Sequence, residues 1–392
     1  MNSAADQTAI VLSGGGAYGA FAVGIMKALF AGKSPSTKYE PLEATIFSGT
    51  SVGAFNAVCM VMHANRGALE AALKLEHTWL EQIAERPGKC GNGVFRLRGN
   101  PESYLEPSCL RHPVALMNQL TRDGINMAEY MVSRTANFWA SSETLASRIT
   151  SAINLGALID AEPFQHLVNE TICEEKIRNS PNRLTVVATN WSTGAKQIFS
   201  NSDFVDGRGA LTVMASAAIP GIFPPVRLDG DIFVDGGVVE NTPLKSALED
   251  GATSLHVIYL DPEPGFIPLL SVQNSLDTFL RVYYLMLATK ISEDVETARW
   301  INEGLNALAE FEETGRVSGS AAQQFARVAG QILGNASAKY RPVTIHRYFP
   351  TRIMGGDFGM LDFGMETVAS LIHEGEEAAE LHDCLANRCV IP

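Results

Sequence analysis

The N-terminal part of the chain repeats one pattern twice: a short apolar run, a glycine-rich turn and an apolar segment with helical spacing. The first copy reads TAIVLSGGG followed by AYGAFAVGIMKALFAGK, and the second reads EATIFSGTS followed by VGAFNAVCMVM. A short continuous apolar run suits a strand that is buried on both of its faces. Two consecutive strand-turn-helix units therefore predict an α/β fold with a mainly parallel sheet covered by helices.

Further strand signals follow after a long polar stretch. They lie at Arg183–Asn190, Lys196–Ser200, Asp231–Gly237 and Ser254–Asp261. Residues 87–160 mix polar, glycine and proline positions, which favours an insertion or lid over sheet. Residues 275–334 are largely helical in pattern, and 342–350 predict a returning strand. We expect a core at 1–262 and a mainly helical C-terminal part at 263–392 that packs on the same domain.

Composition and charge narrow the possible functions. The chain has 392 residues, 46% of them hydrophobic, which is enough for a large core. Its formal net charge of -13 argues against nucleic acid as a partner. The first residues, MNSAADQT, lack signal-peptide features, and no apolar run approaches a membrane span. We therefore expect a cytoplasmic protein, with export by a signal-less route left open.

The six cysteines are scattered along the sequence. They form no Cys-x-x-Cys pair and no Cys/His cluster at zinc spacing. This pattern is typical of ordinary thiols in a reducing compartment. We expect no metal site.

The first glycine-rich turn fits two kinds of site. Gly14, Gly16 and Gly19 match G-x-G-x-x-G between a strand and a helix, the pattern of dinucleotide binding. Such sites also need an acidic residue at the tip of the second strand, where this chain has GTSVG. A nucleotide-binding regulatory module remains an alternative, which bound nucleotide in the purified protein would reveal.

The second turn reads G-x-S-x-G from Gly49 to Gly53, between a strand and a helix. In this context a strained turn presents the hydroxyl of Ser51, and the helix after it directs its positive end at the site. A helix N-cap is the structural alternative for this serine. An attacking serine also needs amide donors for the oxyanion. The first turn has no side chains at Gly14, Gly15 and Gly16, and the amides of these residues are therefore candidate donors.

The proton acceptor is the third requirement. A Ser-His-Asp α/β-hydrolase esterase would need a histidine, and His256, His346 and His373 are its candidates. Asp235 follows the apolar run IFV and precedes two glycines. Partial desolvation at such a position would raise its basicity, so that it could take the serine proton directly. An Asp-Gly turn is the structural alternative.

Taken together, these motifs resemble those of the patatin-like phospholipases. Four segments follow the family's order and spacing: GGGAYG (Gly14–Gly19), GTSVGA (Gly49–Ala54), ASAAIPGIFPPV (Ala215–Val226) and DGG (Asp235–Gly237). The resemblance implies a three-layer α/β fold with helical insertions. It also implies hydrolysis of lipid acyl esters, of the phospholipase A or lysophospholipase type, through an acyl-enzyme.

The resemblance further implies the roles of single residues. Ser51 would be the nucleophile and Asp235 the base of a dyad without histidine, and no metal or cofactor would be needed. The oxyanion hole would be Gly14, Gly15 and Gly16, and the supporting motif positions would be Gly19, Gly49, Gly53, Gly236 and Gly237. Because every dyad element is present, a catalytically inactive scaffold is disfavoured.

The expected partners are a lipid or phospholipid substrate and, peripherally, a membrane surface. Tyr18 stands where the family usually carries Arg or Lys, so a charge that would attract an anionic headgroup is missing. The apolar helical stretch Asp277–Ile291 suits either an acyl-chain pocket or the core. The best basic patch for a headgroup is FRLRGNP, from Phe95 to Pro101. The sequence does not indicate an oligomeric state.

Overall fold

A computed structural model gives the fold. It describes residues 7–85, 96–97, 159–160, 162–261, 282–283, 285–286, 295–305, 342–350, 354 and 359–391, with isolated helical positions between 113 and 128. Most of the predicted 87–160 insertion and most of the predicted 275–334 helical region lie outside these described residues. So does most of the basic stretch from Phe95 to Pro101.

A central sheet of eight strands organises the molecule. The strands in the described residues are β1 (Thr8–Leu12), β2 (Ile46–Thr50), β3 (Arg96–Leu97), β4 (Ile159–Asp160), β5 (Arg183–Asn190), β6 (Lys196–Ser200), β7 (Val226–Leu228), β8 (Asp231–Asp235), β9 (Ser254–Ile258) and β10 (Thr344–Tyr348). The sheet order is β10-β9-β1-β2-β5-β8-β7, with β6 paired to β5, while β3 and β4 pair with each other. The five strands from β10 to β5 are parallel, and β6, β7 and β8 run antiparallel to their neighbours.

Helices lie on the faces of this sheet. They are α1 (Gly19–Phe30), α2 (Val52–Met62), α3 (Ala68–Thr78), α4 (Glu162–Thr171), α5 (Glu174–Arg178), α6 (Arg208–Ser216), α7 (Leu244–Glu249) and α8 (Met365–Glu380). Residues 295–305 are also helical. Short 3-10 turns lie at Gly16–Tyr18, Pro35–Thr37, Ala64–Arg66, Asn201–Asp203, Gly236–Val238 and Gly359–Leu361, and a π-helical turn at Trp79–Ile83. In the described part of the chain, no helix is both long and apolar enough to span a bilayer.

The side chains of β1 show that both faces of the sheet are buried. Successive residues of a strand point to opposite faces. Ile10 and Leu12 belong to the larger core cluster, which also holds the apolar faces of α1, α2 and α8. Ala9 and Val11 belong to a second cluster, with α7 and residues of 295–305. The predicted α/β architecture in three layers, with a mainly parallel central sheet, is confirmed.

The C-terminal helix α8 packs on the N-terminal helix α1 at backbone contact. A Cβ on Gly24 would overlap the carbonyl of Ile372, and one on Gly375 would overlap the carbonyl of Phe21. Lys27 of α1 forms ion pairs with Glu76 of α3 and with Glu376 of α8. Strand β10 and helix α8 thus join the same sheet and core as the N-terminal half.

Candidate active site

Ser51 occupies a strained turn between β2 and α2. Its backbone has φ 55° and ψ -125°, a conformation that costs a non-glycine residue about 1–3 kcal/mol. The amide of Ser51 donates to Ser216 Oγ over 2.9 Å, and Ser216 Oγ donates to the Val187 carbonyl over 2.6 Å. Through these two bonds, Ser216 links the backbone of Ser51 to β5 and fixes its position.

The two glycines of the elbow are required by close backbone contact. A Cβ on Gly49 would overlap the carbonyl of Gly53, and one on Gly53 would overlap the carbonyl of Leu12 in β1. Any side chain would push β1, β2 and α2 apart. The two glycines of the G-x-S-x-G pattern are therefore required because β1, β2 and α2 are in backbone contact here.

Asp235 ends β8 and is buried, with 1% of its surface exposed. Its amide donates to the Ala218 carbonyl over 2.8 Å, and its Oδ1 accepts from the Gly237 amide over 2.7 Å. Its Oδ2 accepts no hydrogen bond from the described residues. Burial raises the pKa of Asp235 to about 6, although the Ser51 hydroxyl, the Gly237 amide and the Tyr283 hydroxyl lie near enough to lower it. The carboxylate beside the serine thus keeps one oxygen available.

The block ASAAIPGIFPPV contacts both members of this pair. Ser216 lies at its start and holds the amide of Ser51, while Ala218 accepts from the amide of Asp235. The block therefore sets the position of the aspartate and of the serine. Its serine had no role in the interpretation of the sequence.

The first glycine turn runs beside Ser51, since a Cβ on Gly14 would lie 2.9 Å from the Cβ of Ser51. The Gly14 amide already donates to Asn241, to Oδ1 at 3.1 Å and to the carbonyl at 3.3 Å. The amides of Gly15 and Gly16 donate to no acceptor within the described ranges. Gly16 has φ 57°, and a Cβ there would overlap the Met360 carbonyl. Of the three expected oxyanion donors, the Gly14 amide is thus engaged with Asn241 in this structure.

The remaining motif glycines mark tight packing around the site. A Cβ on Gly19 would lie 2.8 Å from the Trp79 ring. A Cβ on Gly236 would overlap the Val187 carbonyl, while Gly237 supplies the amide that binds Asp235. All of these residues therefore lie at the elbow, the glycine turn or the end of β8.

The segment that follows the DGG turn binds both the first glycine turn and the end of β2, and no sequence motif predicted this. Besides the bonds from Asn241, the Thr242 and Ser13 hydroxyls lie 2.7 Å apart. The Glu240 carbonyl accepts from Thr50 Oγ1 over 2.9 Å. Residues 240–242 therefore link the end of β1 to the end of β2.

A narrow apolar cavity of about 30 Å³ opens at Ser51, with room for about two water molecules. Its lining is Gly16, Ser51, Val52, Phe55, Trp79, Ile83, Phe164, Ala217, Ile219, Phe223, Leu361 and Phe363. Trp79 is fixed in the wall because its indole donates to Asn56 Oδ1 over 2.9 Å. Beyond the serine, the lining offers carbon atoms rather than charged groups.

Two tyrosines answer questions that the sequence left open. Tyr18 is 2% exposed and lies in the larger core cluster, so a charged side chain there would be buried.

Of the stretch Asp277–Ile291, only residues 282, 283, 285 and 286 are described. Tyr283 is buried beside Asp235, and Met286 packs against the core. The stretch thus contacts both the site and the core.

Asp261 is a second buried carboxylate, three residues after β9. Neither of its oxygens has a hydrogen-bond partner among the described residues. Burial raises its pKa to about 7. Burial raises the pKa of Tyr283, and the charges of Asp235 and Asp261 raise it further. The sequence marked Asp261 only as the end of a strand.

The three candidate histidines are engaged elsewhere. His256 Nδ1 lies 2.8 Å from the Tyr348 hydroxyl, and His373 Nε2 lies 3.4 Å from Glu377 on the surface of α8. His346 Nδ1 lies 3.5 Å from Cys384 Sγ. The titratable neighbour of Ser51 in the described structure is Asp235.

The expectation of scattered cysteines without a Cys/His cluster was wrong. His346, His382, Cys384 and Cys389 bring one ligand atom each to within 4.8 Å of one another. His346 comes from β10, and the other three come from the segment after α8. The H-x-C-x4-C spacing from 382 to 389 was the available signal, but the fourth member is distant in sequence.

The chain is similar to a known protein family over more than half of its length. Residues 10–248 match the model of a family described as Patatin-like phospholipase. Uncharacterized NTE family proteins of Mycobacterium bovis and Mycobacterium tuberculosis are each 29% identical over 111 residues, 27% of this chain and 29% of the relative. The matched stretch thus spans less than a third of those relatives. The solved structure of VipD from Legionella pneumophila aligns with 94% of this chain and 67% of its own, at 15% identity and a TM-score of 0.33. Because the family model covers more than half of its residues, the chain belongs to the patatin-like phospholipase family.

Proposed function

We propose that this protein is a lipid acyl hydrolase of the phospholipase A or lysophospholipase type that works through a Ser51–Asp235 dyad. The observation that carries the proposal is the pairing of a strained, buried serine with a buried carboxylate whose Oδ2 accepts no hydrogen bond from the described residues. A nucleophile with a base beside it is the minimum for acyl transfer. Family membership supports the same reaction class.

The first half-reaction forms an acyl-enzyme. Ser51 Oγ attacks the ester carbonyl and its proton passes to Asp235. The carbonyl oxygen gains negative charge and is stabilised by the amides of Gly15 and Gly16 and by the N-terminus of α2. The alcohol part of the lipid then leaves with the proton from Asp235.

The second half-reaction releases the fatty acid. Asp235 takes a proton from water as the water attacks the acyl carbonyl. As the intermediate collapses and the fatty acid leaves, Asp235 passes this proton to Ser51 Oγ. The carboxylate is buried, which favours the neutral form and makes its anion a stronger base than an exposed aspartate.

The cavity favours an apolar acyl group next to Ser51. Its walls carry the aromatic rings of Phe55, Trp79, Phe164, Phe223 and Phe363. Its present volume is too small for a long chain, so these side chains must rearrange when a lipid enters. Among the described residues, the lining carries no basic side chain.

The test measures fatty acid release from short-chain nitrophenyl esters and from diacyl- and lysophosphatidylcholine. Ser51→Ala and Asp235→Asn should each lower kcat/KM by at least about 10³-fold, and the double variant should be no worse than either, because the residues act as a unit. The ratio of diacyl to lysophospholipid turnover assigns the type.

Matched controls change the same residue types at exposed positions. Asp231→Asn changes an exposed carboxylate at the other end of β8, and Ser192→Ala changes an exposed serine after β5. Both should keep the wild-type rate. Turnover by Asp235→Asn at the wild-type rate, or a wild-type protein that is silent on every ester, would refute the proposal.

A further inference from the structure

We propose that His346, His382, Cys384 and Cys389 form a structural zinc site. The cluster lies at the edge of the sheet, on β10 and the segment that follows α8, apart from the Ser51 cavity. His382 is buried and the other three side chains are half-buried, so the centre of the cluster is shielded from bulk water. Two thiols with two imidazoles are a donor set that favours Zn²⁺.

The distances agree with tetrahedral coordination. In such a site, zinc bonds of about 2.3 Å to sulfur and about 2.0 Å to nitrogen separate a sulfur from a nitrogen by roughly 3.6 Å. Cys384 Sγ lies 3.5 Å from His346 Nδ1 and 3.5 Å from His382 Nε2. Cys389 Sγ also lies 3.5 Å from His382 Nε2. Since all four ligand atoms lie within 4.8 Å, coordination needs only a small closing movement.

The surroundings of the cluster suit a metal with two thiolates. The Arg347 amide donates to Cys389 Sγ over 3.4 Å, which helps to hold negative charge on the sulfur. The Asn387 side-chain amide lies 2.8 Å from His382 Nδ1, on the side of the ring away from the sulfurs. Turned to present its oxygen, this amide would fix the tautomer that leaves Nε2 for the metal. Two thiolates and two neutral imidazoles balance the charge of Zn²⁺.

A metal here would fix the C-terminal segment on the edge strand of the sheet. The C-terminal segment pairs with β10 through two backbone bonds, from Ile345 N to the Val390 carbonyl and from Val390 N to the Ile345 carbonyl. The four ligands join this segment to the strand beside that bridge. Zinc would therefore fix the end of the chain on the edge strand and add its binding free energy to folding.

The test uses the full chain without an affinity tag, loaded with zinc alone. Elemental analysis should find about one zinc per chain, and the cobalt-substituted protein should show thiolate-to-cobalt charge-transfer bands. Chelation should lower Tm, and zinc should restore it. The Cys384→Ser/Cys389→Ser double variant should lose the metal and the bands.

The control is Cys173→Ser, which changes a half-buried free thiol outside the cluster and should keep one zinc. The cobalt spectrum of the wild-type chain does not depend on the stability of the variants. A wild-type protein that binds no zinc after reduction, a double variant that still binds it, or a native disulfide between Cys384 and Cys389 would overturn the proposal. Each readout is independent of ester hydrolysis.

Discussion

At the scale of single residues, the burial of Asp235 sets the pH at which the proposed dyad works. The base must be ionised to take the serine proton, and burial raises its pKa to about 6. We therefore expect kcat/KM to rise with pH through about 6 and to level off above pH 7.

Because the Tyr283 hydroxyl lowers this pKa, Tyr283→Phe should shift the rising part of the pH profile to higher pH and leave the plateau value of kcat/KM less affected. pH-rate profiles of both proteins measure the shift, and unchanged profiles would contradict this assignment.

Asp261 gives a second prediction at this scale, on stability rather than rate. Burial raises its pKa from 3.8 to about 7, so the folded state holds its proton more tightly than the unfolded state. Its contribution to the free energy of unfolding therefore falls as pH rises from about 4 to about 7. Asp261→Asn should be more stable than wild type by about 2–4 kcal/mol at pH 8, and the difference should shrink towards pH 4.

Urea denaturation at the two pH values checks this expectation. Asp231→Asn makes the same charge change at an exposed position and should show no such pH-dependent gain. A destabilised Asp261→Asn at pH 8 would mean that the carboxylate has a partner that stabilises its charged form.

At the scale of elements, the contact between α1 and α8 depends on two glycines that leave no room for a methyl group. Gly375→Ala gains about 1 kcal/mol in helix propensity, but the new Cβ would overlap the Phe21 carbonyl. Overpacking of this kind costs about 1–3 kcal/mol, so we expect a net loss of stability and a lower Tm.

Gly304→Ala is the matched control, since nothing lies within 4 Å of a Cβ there and the residue is also helical. It should be neutral or slightly stabilising in the same thermal scan. Equal Tm values for Gly375→Ala and wild type would mean that the two helices separate without cost.

How far the sequence predicts this structure depends on whether the signal is local. The strands at Arg183–Asn190 and Lys196–Ser200 have the predicted bounds, because alternation and turn residues act within a few positions. Ser51 and Asp235 could be predicted as candidates because each lies in a turn whose glycines are needed within two residues of it. Asn241 was not predicted because its partner, Gly14, is distant in sequence. An isolated polar residue also forms no pattern that distinguishes it from other polar residues.

At the scale of the whole molecule, the same reason explains the cysteine error. Four ligands that meet in space come from a strand and from a terminal segment that the fold alone brings together. Spacing rules detect a cluster of metal ligands only when the ligands occur as two closely spaced pairs in the sequence. A long-range contact can also involve a residue inside a recognised motif, as the proposed oxyanion donors illustrate. The sequence indicated the amides of Gly14, Gly15 and Gly16 as donors, but not that the Gly14 amide also donates to Asn241, which is distant in sequence.

The position of β1 inside the sheet has a consequence for how the protein is handled as fragments. Residues 10–248 carry the family match, yet the neighbour of β1 on one side is β9, which begins at Ser254. A fragment cut to the matched region would expose β1 as an edge strand that is apolar on both faces, and such edges invite aggregation. It would also uncover the face of α1 that α8 occupies. The recognisable family segment is therefore smaller than the unit that folds.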